Sequence, residues 1–125
     1  MTRIRVTAPV RPTEDVAKVT RAVLNLFPDA RIEVRGDSII GETESLDRLR
    51  ELIRNQKIRD AARSLLRRAR VGARTSVGLS KQAAFMGRVN FSATSPLGDL
   101  AVEIESDDLD ALIDHVAEST VRPKG

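Results

Sequence analysis

The sequence predicts an α+β fold, a mostly antiparallel sheet with helices packed on one of its faces. Three observations carry that expectation. Short runs alternating apolar and polar residues at period two are interleaved with runs whose apolar residues recur at the helical period. The turn at Gly36-Asp37 joins two strand-like runs directly, so that pair is a hairpin and antiparallel. Each helical run carries one apolar stripe, which suits a helix lying on a sheet.

The elements follow in order. Thr2 to Val10 reads as a strand, with Ile4, Val6, Ala8 and Val10 on one side and Arg3, Arg5 and Thr7 on the other. Thr13 is a suitable N-cap for the next helix, Glu14 and Asp15 sit in its first turn, and Pro28 stops it. Val16, Val19, Val23, Leu24 and Phe27 form its stripe. In the hairpin, Ile32 and Val34 are expected to face inward and Ile39-Ile40 to begin the return; Ser45 then caps a helix. From Leu46 to Arg70 there is no Gly or Pro, yet the apolar face reverses. Leu46, Leu49, Leu52 and Ile53 lie nearly opposite Ile58, Ala61, Ala62, Leu65, Leu66 and Ala69 at about 100° per residue, so a break near Asn55-Gln56 is expected. Strands are expected at Arg74 to Leu79, Val89 to Ser92 and Leu100 to Glu105, with "SPLGD" turning into the last. Ser106 caps a final helix from Asp107 to about Ser119, with Leu109, Leu112, Ile113 and Val116 as its stripe. The order is βαββααβ, a connection, then ββα.

The 125 residues form one domain, 1–125, with residues 119–125 expected to fray. No repeat or low-complexity linker divides them. A chain of this length buries roughly two-thirds of its unfolded surface and needs no staple. It has no cysteine, which excludes disulfides and thiolate chemistry and fits a reducing interior. The N-terminus has no apolar leader, and no run approaches membrane length, so a cytoplasmic protein with no membrane partner is expected. The "NFS" sequon at Asn90 carries no weight in that setting.

Charge is uneven. The formal net charge is +3, but residues 1–44 are neutral, residues 45–90 carry +9 and residues 91–125 carry −6. A concentrated positive third can attract a polyanion. Within it, Arg59, Arg63, Arg67 and Arg70 recur at spacings of four, four and three, forming one stripe about 80° wide on a helix. Asp60 is the one acid of that helix, so the stripe has no partners at helical spacing. It reads either as a surface for phosphate or as ordinary surface, a solvated helix face or one paired with the acidic final helix.

The stretch "GLSKQAAFMGRVNF" raises a second candidate. Ser80 can cap a short helix and Gly87 can end it, with Ala83, Ala84, Phe85 and Met86 on its buried side. A lysine in a first turn is unfavourable unless an anion is near. Lys81, Gln82 and free amides after Ser80 would therefore make an anion site, or the helix merely covers the core.

Residue types exclude much else. His115 is the one histidine, set among aspartates on the final helix, and is expected at the surface. No nucleophile–base pair, calcium loop, Walker loop or dinucleotide fingerprint is present, so neither a catalytic set nor a cofactor or metal is indicated. The aromatics are Phe27, Phe85 and Phe91, with Phe27 and Phe91 on inward faces, so an RNA would be read by backbone and shape rather than by splayed bases.

"APVRPTED", "NLFPDA", "GDSIIGETESLDRLRELIRNQKIRDAARSLL", "LSKQAAFMGRVNFS" and "PLGDL" together resemble the uncharacterised archaeal protein family 0201. The likeness fails only in the final helix and tail. It implies a fold similar to ribosomal protein L five, a ribosomal RNA binder, and an archaeal cytoplasm; it transfers no catalytic residue. Structured RNA is the expected partner. The alternative is a self-associating or protein-binding module, a homo-oligomer whose basic face docks on an acidic surface, and an enzyme is the least favoured reading.

Overall fold

A computed structural model describes residues 2–91 and 99–118. The tail from residue 119 and most of the "SPLGD" turn lie outside them. Five strands, β1 (Thr2–Pro9), β2 (Arg31–Arg35), β3 (Ser38–Thr43), β4 (Arg74–Leu79) and β5 (Leu100–Ser106), form one sheet in the order β2-β3-β1-β5-β4, with each neighbouring pair antiparallel. The helices are α1 (Val16–Leu26), α2 (Asp47–Asn55), α3 (Arg59–Arg68), α4 (Lys81–Phe85) and α5 (Leu109–Val116). The expected α+β architecture is present.

Period two sorts the sheet into two faces. Ile4, Val6 and Ala8 of β1 align with Ile39 of β3 and with Val102 and Ile104 of β5 on the buried face, which Val23 and Leu26 of α1, Ile53 of α2, Leu66 of α3 and Ile113 of α5 join in one core. α1 lies close over β3. A Cβ on Gly41 would come within 3.2 Å of a Val23 methyl, which explains a residue without one there. On the open face like charges run along strands. Arg3 and Arg5 on β1 stand between Glu42 of β3 and Glu103 and Glu105 of β5, with Arg74 of β4 beyond. Arg5–Glu42 (2.9 Å) and Arg74–Glu105 (2.6 Å) are ion pairs. Arg5 first, by its hydrogen bond, holds the Glu42 carboxyl below its usual range. A shallow cavity of about 400 Å³ on this face is therefore lined by both signs.

The break between α2 and α3 is where the reversing apolar face places it. α2 ends in a Schellman motif: the Lys57 amide donates to the Arg54 carbonyl (3.1 Å) and the Ile58 amide to the Ile53 carbonyl (3.1 Å). Lys57 occupies the left-handed position, φ +59°. α4 ends in the same motif, with Gly87 at φ +73° and the Arg88 amide bonded to the Ala83 carbonyl (2.9 Å).

Several local expectations need correction. The α1 cap is Asp15 rather than Thr13: its carboxylate accepts from the Ala17 amide, and Glu14, expected in the first turn, lies before the helix with its amide bonded to the Arg11 carbonyl (2.8 Å). Ser45 accepts from the Asp47 amide (3.2 Å) but stands one residue before the cap position of α2. α5 is capped by Asp108, with Ser106 accepting from the Asp108 amide (3.3 Å). Val34, on the edge strand β2, is 53% exposed. The strand expected at Val89 to Ser92 reduces, among the described residues, to one bridge between Phe91 and Leu79.

Candidate nucleic-acid interface

The arginine stripe forms on α3 as its spacing demands, but it is not open. α5 packs alongside α3, and its acids stand opposite the guanidiniums. Arg59 pairs with Glu118 (2.6 Å), Arg63 with Asp114 and Arg70 with Asp110. Arg63 is only 19% exposed and also reaches the Ala117 carbonyl (3.4 Å). On the other flank Arg50 donates to the His115 carbonyl (2.8 Å), while exposed His115 lies 3.4 Å from Asp47. Of the four stripe residues, Arg67 alone makes no ion pair among the described residues. Residues 107–118, the acidic end of the chain, thus neutralise the stripe from within.

The anion site at α4 is also overturned. Ser80 caps the helix as expected, its hydroxyl accepting from the Ala83 amide (3.2 Å). Lys81, however, points inward and is 7% exposed. Its ammonium donates to the Pro9 carbonyl (2.6 Å) and to both Glu14 carboxylate oxygens (3.0 and 3.3 Å). The Lys81 amide faces the Asp99 carboxylate at 3.5 Å. The anions that a first-turn lysine requires are supplied by the chain itself. Gln82 is exposed. The helix is rotated relative to expectation: Ala84 is buried as expected, but Lys81 joins it against the core, while Phe85 (37% exposed) and Met86 (76%) face out. Asn25 of α1 fixes that orientation by donating to the Ala84 and Phe85 carbonyls (3.0 and 3.2 Å).

A different cluster of cations emerges where two helix ends meet. The Gln56 carboxamide donates to the Val89 carbonyl (2.7 Å) and accepts from the Val89 amide (2.8 Å). Gln56 closes α2 and Val89 follows the Schellman turn of α4, so this pair of bonds staples the two turns together. Lys57 flanks one side of the staple and Arg88 the other, with Arg54 a turn back on α2. All three are exposed, and none makes an ion pair among the described residues. Farther along α3, Arg67 and Arg68 are exposed, and among the described residues Arg68 bonds to the Ser64 hydroxyl alone (3.2 Å).

Lys57 is held in a backbone region that costs an L residue about 1–2 kcal/mol. Glycine would relieve that at an entropic cost of about 0.5–1 kcal/mol. The relief wins narrowly, so Lys57→Gly is expected to raise stability by about 0.5 kcal/mol in chemical denaturation; a loss above about 1 kcal/mol would show that the ammonium stabilises the corner.

Among the described residues no group of His, Asp and Glu side chains is placed to hold a metal ion, and no helix is long and apolar enough to cross a membrane. A model of a protein family described as RNA binding matches residues 3–107, which span the sheet and α1 to α4 and stop short of α5. A UPF0201 protein of Methanothermobacter thermautotrophicus is 44% identical to this chain over 128 residues, covering 99% of this chain and 97% of that one. The chain belongs to the UPF0201 family. A second UPF0201 protein, from Thermococcus onnurineus, is 45% identical across 94% of this chain and 92% of its own length. The crystal structure of the Methanococcus jannaschii UPF0201 protein superposes with a TM-score of 0.88 at 36% identity, covering 95% of both chains. Both the stripe and the stapled corner fall inside the matched residues.

Proposed function

We propose that this UPF0201 protein binds structured RNA by phosphate contacts at the stapled corner, through Arg54, Lys57 and Arg88, extended along α3 by Arg67 and Arg68. The observation that carries the reading is Lys57. A Schellman turn is least costly with glycine at its left-handed position, and α4 has one there; α2 carries a strained, exposed lysine instead. Beside it stand Arg54 and Arg88 with no acid paired to them among the described residues, on a rigid support made by the Gln56–Val89 bonds. Cations so placed repel one another and gain most when an anion bridges them. The match to a family described as RNA binding supplies the partner class. The fold likeness to ribosomal protein L five implied by the sequence resemblance points the same way, as analogy only.

Docking of the α3 stripe on an acidic surface of a second copy loses its motive, since acids of the same chain already pair with Arg59, Arg63 and Arg70. The open sheet face is the poorer RNA surface because acidic strands alternate with basic ones.

Filter binding to a hairpin RNA at several salt concentrations tests the reading. Each phosphate neutralised contributes roughly 0.7–0.9 to the log–log slope, so contacts from these five residues give a slope near −4. Affinity weaker than about 10⁻⁴ M at physiological salt would fall below ordinary non-specific binding and end the proposal. Lys57→Gly is expected to lower the slope by about one while leaving the fold at least as stable.

A further inference from the structure

Phe85, expected in the core, instead forms one wall of a cavity of about 270 Å³ between α4 and the N-terminal end of α1. Val19 forms the apolar floor, and the rim is polar. The polar groups divide into two sets. Glu14 is engaged by Lys81 and by the Arg11 amide (2.9 Å), and the Asp15 carboxylate accepts from the Ala17 amide, so both acids are already hydrogen-bonded within the chain. The Thr13 hydroxyl, the Lys18 ammonium and the Gln82 carboxamide also line it, and their side chains make no hydrogen bond or ion pair among the described residues. The walls are held: Ser80 caps one end of α4, Asn25 pins the other, and Lys81 ties α4 to the segment before α1.

We propose that this cavity binds one unpaired nucleobase of a nucleotide. The base stacks on the Phe85 ring over Val19, its edge meets the Gln82 carboxamide, and its phosphate lies at Lys18. An exposed aromatic beside a cation is the arrangement that holds splayed bases. A carboxamide offers a donor and an acceptor side by side, which is what a base edge presents in return. An aliphatic ligand would cover Phe85 but leave Gln82 and Thr13 unpaired, at the cost of a buried polar group. The volume lies below the roughly 300–1,000 Å³ of sites for whole drug-sized ligands, so it suits a single base rather than a dinucleotide. This site is separate from the stapled corner and does not depend on it.

The test uses the full chain and free nucleotides, so its failure and that of the corner are distinguishable. Amide NMR is followed while the four common ribonucleoside 5′-monophosphates, and ribose 5-phosphate as a baseless control, are added. Saturable shifts at Thr13, Lys18, Gln82 and Phe85 are expected with nucleotides and not with ribose 5-phosphate. Phe85→Leu, which keeps an apolar side chain but removes the ring, is expected to weaken binding about tenfold. Gln82→Ala, at an exposed position, is expected to weaken it several-fold and to flatten the ranking of the bases. The proposal is overturned by no saturable shift at about 10 mM nucleotide, by equal shifts with ribose 5-phosphate, or by an unchanged affinity in Phe85→Leu. Should Phe85→Leu lose its folded spectrum, an unchanged affinity in Gln82→Ala overturns it alone.

Discussion

Lys81→Met is expected to lower the stability of the protein by about 2–3 kcal/mol, a fall in Tm of roughly 10 °C at this chain length. The side chain keeps its length and apolar stem, so packing is nearly conserved. What is lost is the ammonium that serves the Pro9 carbonyl and both oxygens of Glu14. Breaking a fully buried pair costs about 3–5 kcal/mol, and the lower figure is expected here because the Glu14 side chain retains 28% exposure and can be partly hydrated. Glu14→Gln is expected to be costly too, since it leaves the more deeply buried charge. In a double-mutant cycle the two changes should couple by more than about 1 kcal/mol. Additive effects would show that Lys81 acts through packing alone. The pair also has a pH signature. The Arg11 amide first, and the Lys81 ammonium after it, hold the Glu14 carboxyl below its ordinary 4.5 against the opposing effect of burial. A depressed carboxyl contributes stability that is fully present above pH 4.5 and is lost as the pH falls through the lower, folded value. Denaturation midpoints of the wild type should therefore fall more steeply below pH 4.5 than those of Glu14→Gln.

Removing the acids of α5 should convert a closed surface into a second RNA surface. In the triple variant Asp110→Asn, Asp114→Asn, Glu118→Gln, the partners of Arg70, Arg63 and Arg59 keep their shape and lose their charge. The cost in stability is modest, about 1–2 kcal/mol for three pairs whose acids are exposed. α5 should stay in place, because Leu109, Ile113 and Val116 remain buried and each contributes roughly 2 kcal/mol. Three guanidiniums in a row are then free for phosphate. The salt slope for hairpin RNA is expected to steepen by about two, with affinity at physiological salt at least tenfold higher. A slope unchanged from wild type would mean that the stripe is too far from the bound RNA to take part.

What could be read from the chain was what short-range periodicity encodes. The reversal of the apolar face placed the α2–α3 break, the alternation in Thr2 to Pro9 placed β1, and Ser80 with Gly87 delimited α4. Partners far apart in sequence were not readable. Arg59, Arg63 and Arg70 meet acids 59, 51 and 40 residues away, so the pairing with the final helix stood only as one of two readings. Lys81 and Glu14 are 67 residues apart, and their bond rotates α4, which no local hydrophobicity argument for Phe85 and Met86 could foresee. At the start of α1, Thr13 and Asp15 are both good caps, and no local pattern chooses between them. Arg88 falls between the helix end expected at Gly87 and the strand expected from Val89, and so belonged to neither; the signal that exposes it is Gly87 itself, which as the end of a helix puts the next residue at a Schellman turn.

The most direct test of the account compares two charge-matched variants. One carries Arg54→Gln, Lys57→Gln and Arg88→Gln; the other carries Arg59→Gln, Arg63→Gln and Arg70→Gln. Both lose three positive charges, so any effect of net charge alone is the same in each. Binding to one hairpin RNA is measured across a salt series beside wild type. The corner variant is expected to lose about two units of slope and to weaken at all sequences alike, since phosphate contacts carry no sequence information. The stripe variant is expected to hold the wild-type slope to within about half a unit. The reverse pattern, with the slope lost in the stripe variant and kept in the corner variant, would contradict the account.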